Sequence, residues 1–254
     1  MAWRRLPRRL SHGEEATLVE HLGELRARLV LSLLAIGVFF GIAFAFHEDI
    51  VRWLAEPLPD DKTLVTFGVT EPFTTSLKVS FMAALAGALP VVLYQFWSFL
   101  APAMAENTQR VVAAFALIAT ALFAVGVAFG YFVVLGKALT FLTNFDDELY
   151  EIQIRASYYF SFVSLALFGI GLMFQLPIFL LALVRLRVLS AERLRRSRRV
   201  GIFLAFLVAV LLPTVDPVSL LFEVVPLLIL FELSIWLAVL MERRWEQAEA
   251  AADW

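Results

Sequence analysis

The chain has no cysteine among its 254 residues, so neither a disulfide framework nor a thiolate metal site is open to it. Charge is scarce as well: 17% of residues are Asp, Glu, Lys or Arg, against about 25% in ordinary soluble domains. The three histidines, His12, His21 and His47, are dispersed over a tail and a loop and do not make a metal-ligating set. There is no G-x-S-x-G, no H-E-x-x-H and no phosphate-cradling P-loop. No enzyme activity, cofactor or nucleic-acid partner is therefore expected. No linker is long enough to separate a second domain.

What the chain has in abundance is apolar sequence. It is 61% hydrophobic, with a mean hydropathy of +0.82, and the apolar residues fall in blocks of around twenty, the pattern of a polytopic membrane protein. The most informative block is Glu71 to Pro102, EPFTTSLKVSFMAALAGALPVVLYQFWSFLAP. As a helix, Phe73 to Leu100 is roughly 40 Å long at 1.5 Å per residue. That exceeds the ~30 Å of a bilayer hydrocarbon core, so the helix must tilt, bend or protrude. Pro90, after Gly87, supplies a bend. Tyr94 and Trp97 place aromatic rings at the far headgroup level.

Six spans follow from the same reading, at 29–46, 74–100, 111–136, 158–184, 200–212 and 218–241. Residues 1–28 are a polar tail. Arg4-Arg5 invites a signal-peptide reading, but the first apolar run begins only at Leu29 and ends with no small-residue cleavage site, so a retained tail is expected. Within it, Thr17 to Leu29 is expected to form an amphipathic helix lying on the membrane, its Leu18, Leu22, Leu25 and Leu29 at helical spacing. Residues 242–254 form a second polar tail. A short interfacial helix is expected before Pro57, acidic loops at 47–71 and 137–157, and interruptions of the fourth and sixth spans at Pro177 and Pro226. The fifth apolar stretch is only thirteen residues, roughly 20 Å of helix, which implies a locally thinned bilayer or shelter against a partner.

Sixteen Lys and Arg fall on the side of the two tails and four on the other. By the positive-inside rule both termini are expected in the cytoplasm. The fold class is thus an all-α integral membrane protein of six transmembrane helices with a short fifth helix.

Ionisable groups in or beside the spans are few, and a charge in hydrocarbon is costly, so each is a functional candidate. They are Lys78, Asp216, Glu223 and Glu232. Lys78 and Glu223 lie near span ends and are expected to snorkel. Glu232 lies deeper and is expected to face a polar interior or a partner. Gln175 is a neutral polar group suited to helix-to-helix hydrogen bonding. At the membrane surface, Glu24 has two readings: an i,i+4 pair with Arg28, or a carboxylate offered to a cationic ligand.

His21-Leu22-Gly23-Glu24-Leu25-Arg26-Ala27-Arg28-Leu29 resembles the H-L-x-E-L-R-x-R-L signature of the TatC family, the multi-spanning subunit of the twin-arginine translocase. Further stretches resemble that family in its order: Glu71-Pro72-Phe73 with Lys78, Pro90 to Phe99 closing at Ala101-Pro102, Gly130 to Val134, Ala156-Ser157-Tyr158, the turn before Asp216, and Phe231-Glu232. The resemblance covers about residues 18 to 240. It implies a cup-shaped bundle in the cytoplasmic (inner) membrane that binds twin-arginine signal peptides and moves folded proteins across it on the protonmotive force. It also implies TatA-type single-span partners, with or without TatB-type ones, and several TatC copies per complex.

Signal-peptide contacts are implied at Glu24, Arg26, Tyr94, Gln95 and Phe99. The family's second carboxylate aligns with Thr108, and Glu106, two residues earlier, is the substitute. Gln175 stands where many members carry an acid, and Asp216 matches the family's acidic turn residue. Val210, Pro213 and Leu220 occupy the neighbourhood of the polar cluster that docks the partner helix. The competing class is a proton- or ion-coupled transporter of a small solute. Such a protein wants inverted repeats or half-helices around a midplane site, and the prolines at 90, 177 and 226 do not fall in matched halves.

Overall fold

The computed structural model describes residues 18–59, 61–100, 109–150, 152–210 and 217–252, with backbone alone at 18–20, 109–111, 219 and 243–252. Nearly all of it is helix. Five helical stretches are long and apolar enough to cross a membrane: His21–Ala45, Glu71–Leu100, Val112–Asn144, Ala156–Arg185 and Leu220–Glu242. A sixth, α9 (Arg198–Val210), has 13 residues, roughly 20 Å of rise. The chain is an all-α multi-pass membrane protein with a short fifth crossing.

The first helix departs from the surface-lying segment read in the sequence. α1 runs unbroken from Leu18 to Ala45. Between Leu22 and Leu34 there is no proline, and good helix formers dominate, so nothing ends the helix where the polar tail meets the apolar span. α2 (His47–Ala55) is the short helix expected before Pro57. α3 (Glu71–Leu100) carries Pro90 inside it and packs along α1. The two approach closely at Gly87, where a Cβ would stand 2.7 Å from the Phe39 ring.

The third span is longer than read. α4 (Gln109–Phe129) passes through a π-helical turn (Gly130–Leu135) into α5 (Gly136–Asn144). Lys137 does not stop it, because its exposed ammonium lies 4.2 Å over the Phe222 ring, a cation–π contact that spares it burial. The fourth span breaks where Pro177 demands: α6 (Ala156–Met173) and α7 (Leu176–Arg185) are separated by Phe174 and Gln175. α4 and α6 interlock through small residues. The Gly126 position abuts Phe174 and that of Gly171 abuts Phe123, at 2.8 and 2.6 Å for an added Cβ, the close packing that membrane helices favour.

α8 (Ala191–Arg196) is capped by Ser190, whose hydroxyl accepts from the Arg193 N–H at 3.2 Å. α10 (Pro217–Ala252) is continuous through Pro226, correcting the interruption read there: a proline removes a single backbone donor, and neighbouring helices hold the rest of the ladder. A two-residue parallel pair, β1 (Leu64–Val65) with β2 (Ile154–Arg155), ties the loop that precedes α3 to the loop that precedes α6.

Candidate functional site

The face of α1 nearest its start presents His21, Glu24 and Arg28 at i, i+3 and i+7, the spacing that stacks side chains along one side of a helix. Arg28 donates from Nε to Glu24 Oε1 at 3.0 Å, and its Nη2 donates to the same oxygen. Its Nη1 reaches across to α3 and donates to Gln95 Oε1 at 3.3 Å. His21 Nδ1 lies 4.0 Å from Glu24 Oε2, and the His21 ring stacks on Phe99 with centroids 4.3 Å apart. Glu24 and Arg28 are 23% and 22% exposed, so water and ligands reach them. The cluster is a carboxylate and an amide oxygen converging on one guanidinium, beside an aromatic face.

Glu24, Gln95 and Phe99 thus come together at the junction of α1 and α3. Arg26 is exposed and, two residues from Glu24, falls on a different face of α1. Tyr94 is half-buried and packs with Trp97, Ala116 and Phe115 toward α4. Glu106, Thr108 and Asp216 lie outside the described residues.

Of the intramembrane candidates, Lys78 is exposed on α3. Gln175 does what its type suggested: its Nε2 donates to the Ala119 carbonyl at 3.0 Å, bridging the α6–α7 break to α4. Glu232, expected to face a polar interior or a partner, pairs with Arg198 of α9 at 3.1 Å and is 41% exposed. Glu223 is corrected from a snorkelling group. It is 2% exposed, one turn before Leu227, which packs on Ala205 and Ala209 of α9.

A second cluster, unread in the sequence, closes the opposite end. Glu71, in the first turn of α3, is 5% exposed. Its Oε1 accepts from Arg155 Nε at 2.8 Å and the Ser157 N–H at 3.2 Å, and its Oε2 from the Phe67 N–H at 2.9 Å. The bond to Glu71 raises the Arg155 guanidinium above its ordinary, already high pKa. Beside it, Tyr131 from the π-turn donates to the Trp53 carbonyl at 2.9 Å and to Glu56 Oε2 at 3.1 Å. Tyr159 donates to the Leu54 carbonyl at 2.9 Å. The Tyr159 phenol satisfies a carbonyl that the end of α2 leaves over, and that of Tyr131 adds a second donor to one that the Glu56 N–H already bonds. No local signal pairs Glu71 with Arg155, 84 residues away. The acidic Glu-Pro entry was the one visible sign.

Residues 20–226 match the family model of TatC, the Sec-independent protein translocase protein. Among curated relatives, the TatCd protein of Bacillus subtilis is 34% identical over 239 residues, 94% of this chain and 98% of its own. The TatC protein of Aquifex aeolicus is 35% identical over 92% of this chain and 99% of its own. That of Escherichia coli is 34% identical, covering 86% of each. A crystal structure of the twin-arginine translocase receptor TatC in detergent superposes with a TM-score of 0.78 at 34% identity, over 86% of this chain and 99% of that one.

Proposed function

The chain belongs to the TatC family of Sec-independent protein translocase proteins, and on that premise we propose that it is the receptor subunit for twin-arginine signal peptides. It is a component of a protein translocase rather than an enzyme. The arginine-rich end faces the cytoplasm of the inner membrane, a reading supported by sixteen basic residues against four. Signal peptides dock there. TatA-type single-span subunits, and TatB-type ones where present, join it to carry folded cargo across on the protonmotive force.

One observation carries the reading. The Glu24–Gln95 cluster already holds a guanidinium, that of Arg28, through two of its nitrogens on Glu24 and a third on Gln95. The fork geometry of arginine fits such acceptors in a way that a lysine ammonium does not. An incoming arginine needs to displace a half-buried i,i+4 partner and its bond to Gln95, a pairing worth about 0.2–1 kcal/mol. Phe99 and His21 offer a stacked face to the adjoining side chains of the peptide. Glu106 supplies the second carboxylate for the second arginine.

The test is binding of a labelled twin-arginine signal peptide to the purified protein in nanodiscs. Glu24→Ala, and separately a peptide with both arginines changed to lysine, are expected to weaken binding at least about tenfold, the loss of a charge-assisted fork. Binding indifferent to both changes removes the receptor assignment. A Glu106→Gln protein that binds like wild type removes only the second contact.

A further inference from the structure

α8 lies against the end of α10: Ala191 and Leu194 pack with Phe231, Ile235 and Ala238, and the Ala191 N–H donates to Glu242 Oε2 at 3.1 Å. α9 starts below it, where Gly201 sits against the Phe231 ring. From Phe231 to Glu242, α10 rises roughly another 16 Å at 1.5 Å per residue. The short helix therefore leaves a step beside the long one. In that step lies a cavity of about 630 Å³, lined by Glu192, Arg195, Arg196 and Arg198 from α8 and α9 and by Val239 and Glu242 from α10, with Ala191.

The charges around the cavity are unevenly occupied. Arg198 is engaged by Glu232, and Glu242 by the Ala191 amide. Among the described residues Arg195 and Arg196 have no ion-pair partner. The surrounding segment, Arg185 to Arg199, holds seven arginines and one acid. Directly below, the outer face of α9 is apolar and exposed, with Phe203 63% accessible beside Val200 and Ile202, which is a surface for acyl chains. A basic cavity at the level where helices change from apolar to charged is a headgroup site in its general chemistry.

We propose that this step binds the phosphate of an anionic phospholipid, held by Arg195 and Arg196 with its tails along α9. The lipid fills the volume that a thirteen-residue helix cannot, and anchors α8 and α9 to α10 at the arginine-rich surface. Among the described residues, two unengaged guanidinium groups against the single unengaged carboxylate of Glu192 leave the cavity positive, so a headgroup with net negative charge is favoured over a zwitterionic one.

The experiment is native mass spectrometry of the whole, delipidated protein in detergent, titrated separately with phosphatidylglycerol, phosphatidylcholine and inorganic phosphate. One retained phosphatidylglycerol adduct is expected, half-saturating at an at least fivefold lower concentration than phosphatidylcholine. Arg195→Gln/Arg196→Gln is expected to weaken its retention about five- to tenfold, and Glu192→Gln, which removes the opposing charge, to strengthen it. Arg52→Gln, an exposed arginine at the other end, is expected to change nothing. Equal retention of both lipids, or a double variant that keeps the adduct as wild type does, overturns the proposal. So does inorganic phosphate displacing the lipid at equal concentration, which makes this a free-anion site. If the double variant does not fold, the Glu192→Gln protein decides alone: retention no stronger than wild type overturns the site.

Discussion

Glu71 opens α3 with 5% of its side chain exposed and gathers donors from residues 4, 84 and 86 positions away. Glu24 faces the other end of the same helix, is 23% exposed, and is held by a guanidinium one turn along its own α1. Both are carboxylates on an arginine, yet they are built for opposite purposes. Glu71 is fixed by elements from three parts of the chain, so removing it leaves Arg155 and two backbone amides without their acceptor. Glu24 is fixed by a local pair that water and salt compete for, so its partner is exchangeable. The proposed receptor role would use both: a closed end that holds α2, α3 and α6 in register, and an open end that accepts a foreign arginine without reorganising the bundle.

The largest effect that tests this contrast is expected from Glu71→Ala. Three charge-assisted or amide hydrogen bonds to one buried carboxylate are lost at once, and the melting temperature in detergent is expected to fall by about 5–10 °C. Glu71→Gln, which keeps an acceptor, should lose less than half of that. A Glu71→Ala protein that melts like wild type means the closed end is not a clamp. The intermediate effect belongs to the phenols. Tyr159→Phe leaves the Leu54 carbonyl unpaired in a buried setting and is expected to cost about 1 kcal/mol, a melting fall of about 2–4 °C. Tyr131→Phe loses a hydroxyl shared between Trp53 and Glu56 but keeps its ring stacked on Trp53 at 4.3 Å, so its fall should be smaller than that of Tyr159→Phe. The reverse order would show that the π-turn, rather than α6, holds α2.

This contrast also marks what the residues alone could say. Spans are set by runs of apolar side chains, and breaks by proline chemistry at Pro57 and Pro177, both local, so the helices and the short α9 were legible. The pair Glu24–Arg28 was legible for the same reason, at four residues apart. Glu71–Arg155 was not, because no periodicity links groups on different helices. Lys137 looked like a loop residue because a lysine in a span is costly, and only the Phe222 ring, brought by α10, lowers that cost. Glu223 looked like a snorkelling group because its distance from the helix end is visible, while the side of α10 that it occupies is set by packing against α9. Gln95 and Phe99 entered through the family resemblance. Their chemistry, an amide and a ring near a helix end, is too common to single them out.

The smallest effect on stability, and the sharpest test of exchangeability, is Arg28→Ala. In the receptor reading Arg28 occupies the place of a signal-peptide arginine on Glu24 and Gln95. Its removal costs a half-buried i,i+4 pair and one long hydrogen bond, so the melting temperature should move by no more than about 1–2 °C. Binding should go the other way. With the internal competitor gone, the peptide no longer has to displace a pair worth about 0.2–1 kcal/mol, which corresponds to affinity tightened by about 1.5- to fivefold. Glu24→Ala disturbs the same pair and should be just as mild in melting, but it weakens the peptide at least about tenfold, because the acceptor itself is gone. Two variants of one ion pair with matching stability and opposite binding distinguish a docking site from a structural contact. If Arg28→Ala weakens the peptide as much as Glu24→Ala does, Arg28 is instead what holds the carboxylate in its receptive orientation, and the open end is less exchangeable than its exposure suggests.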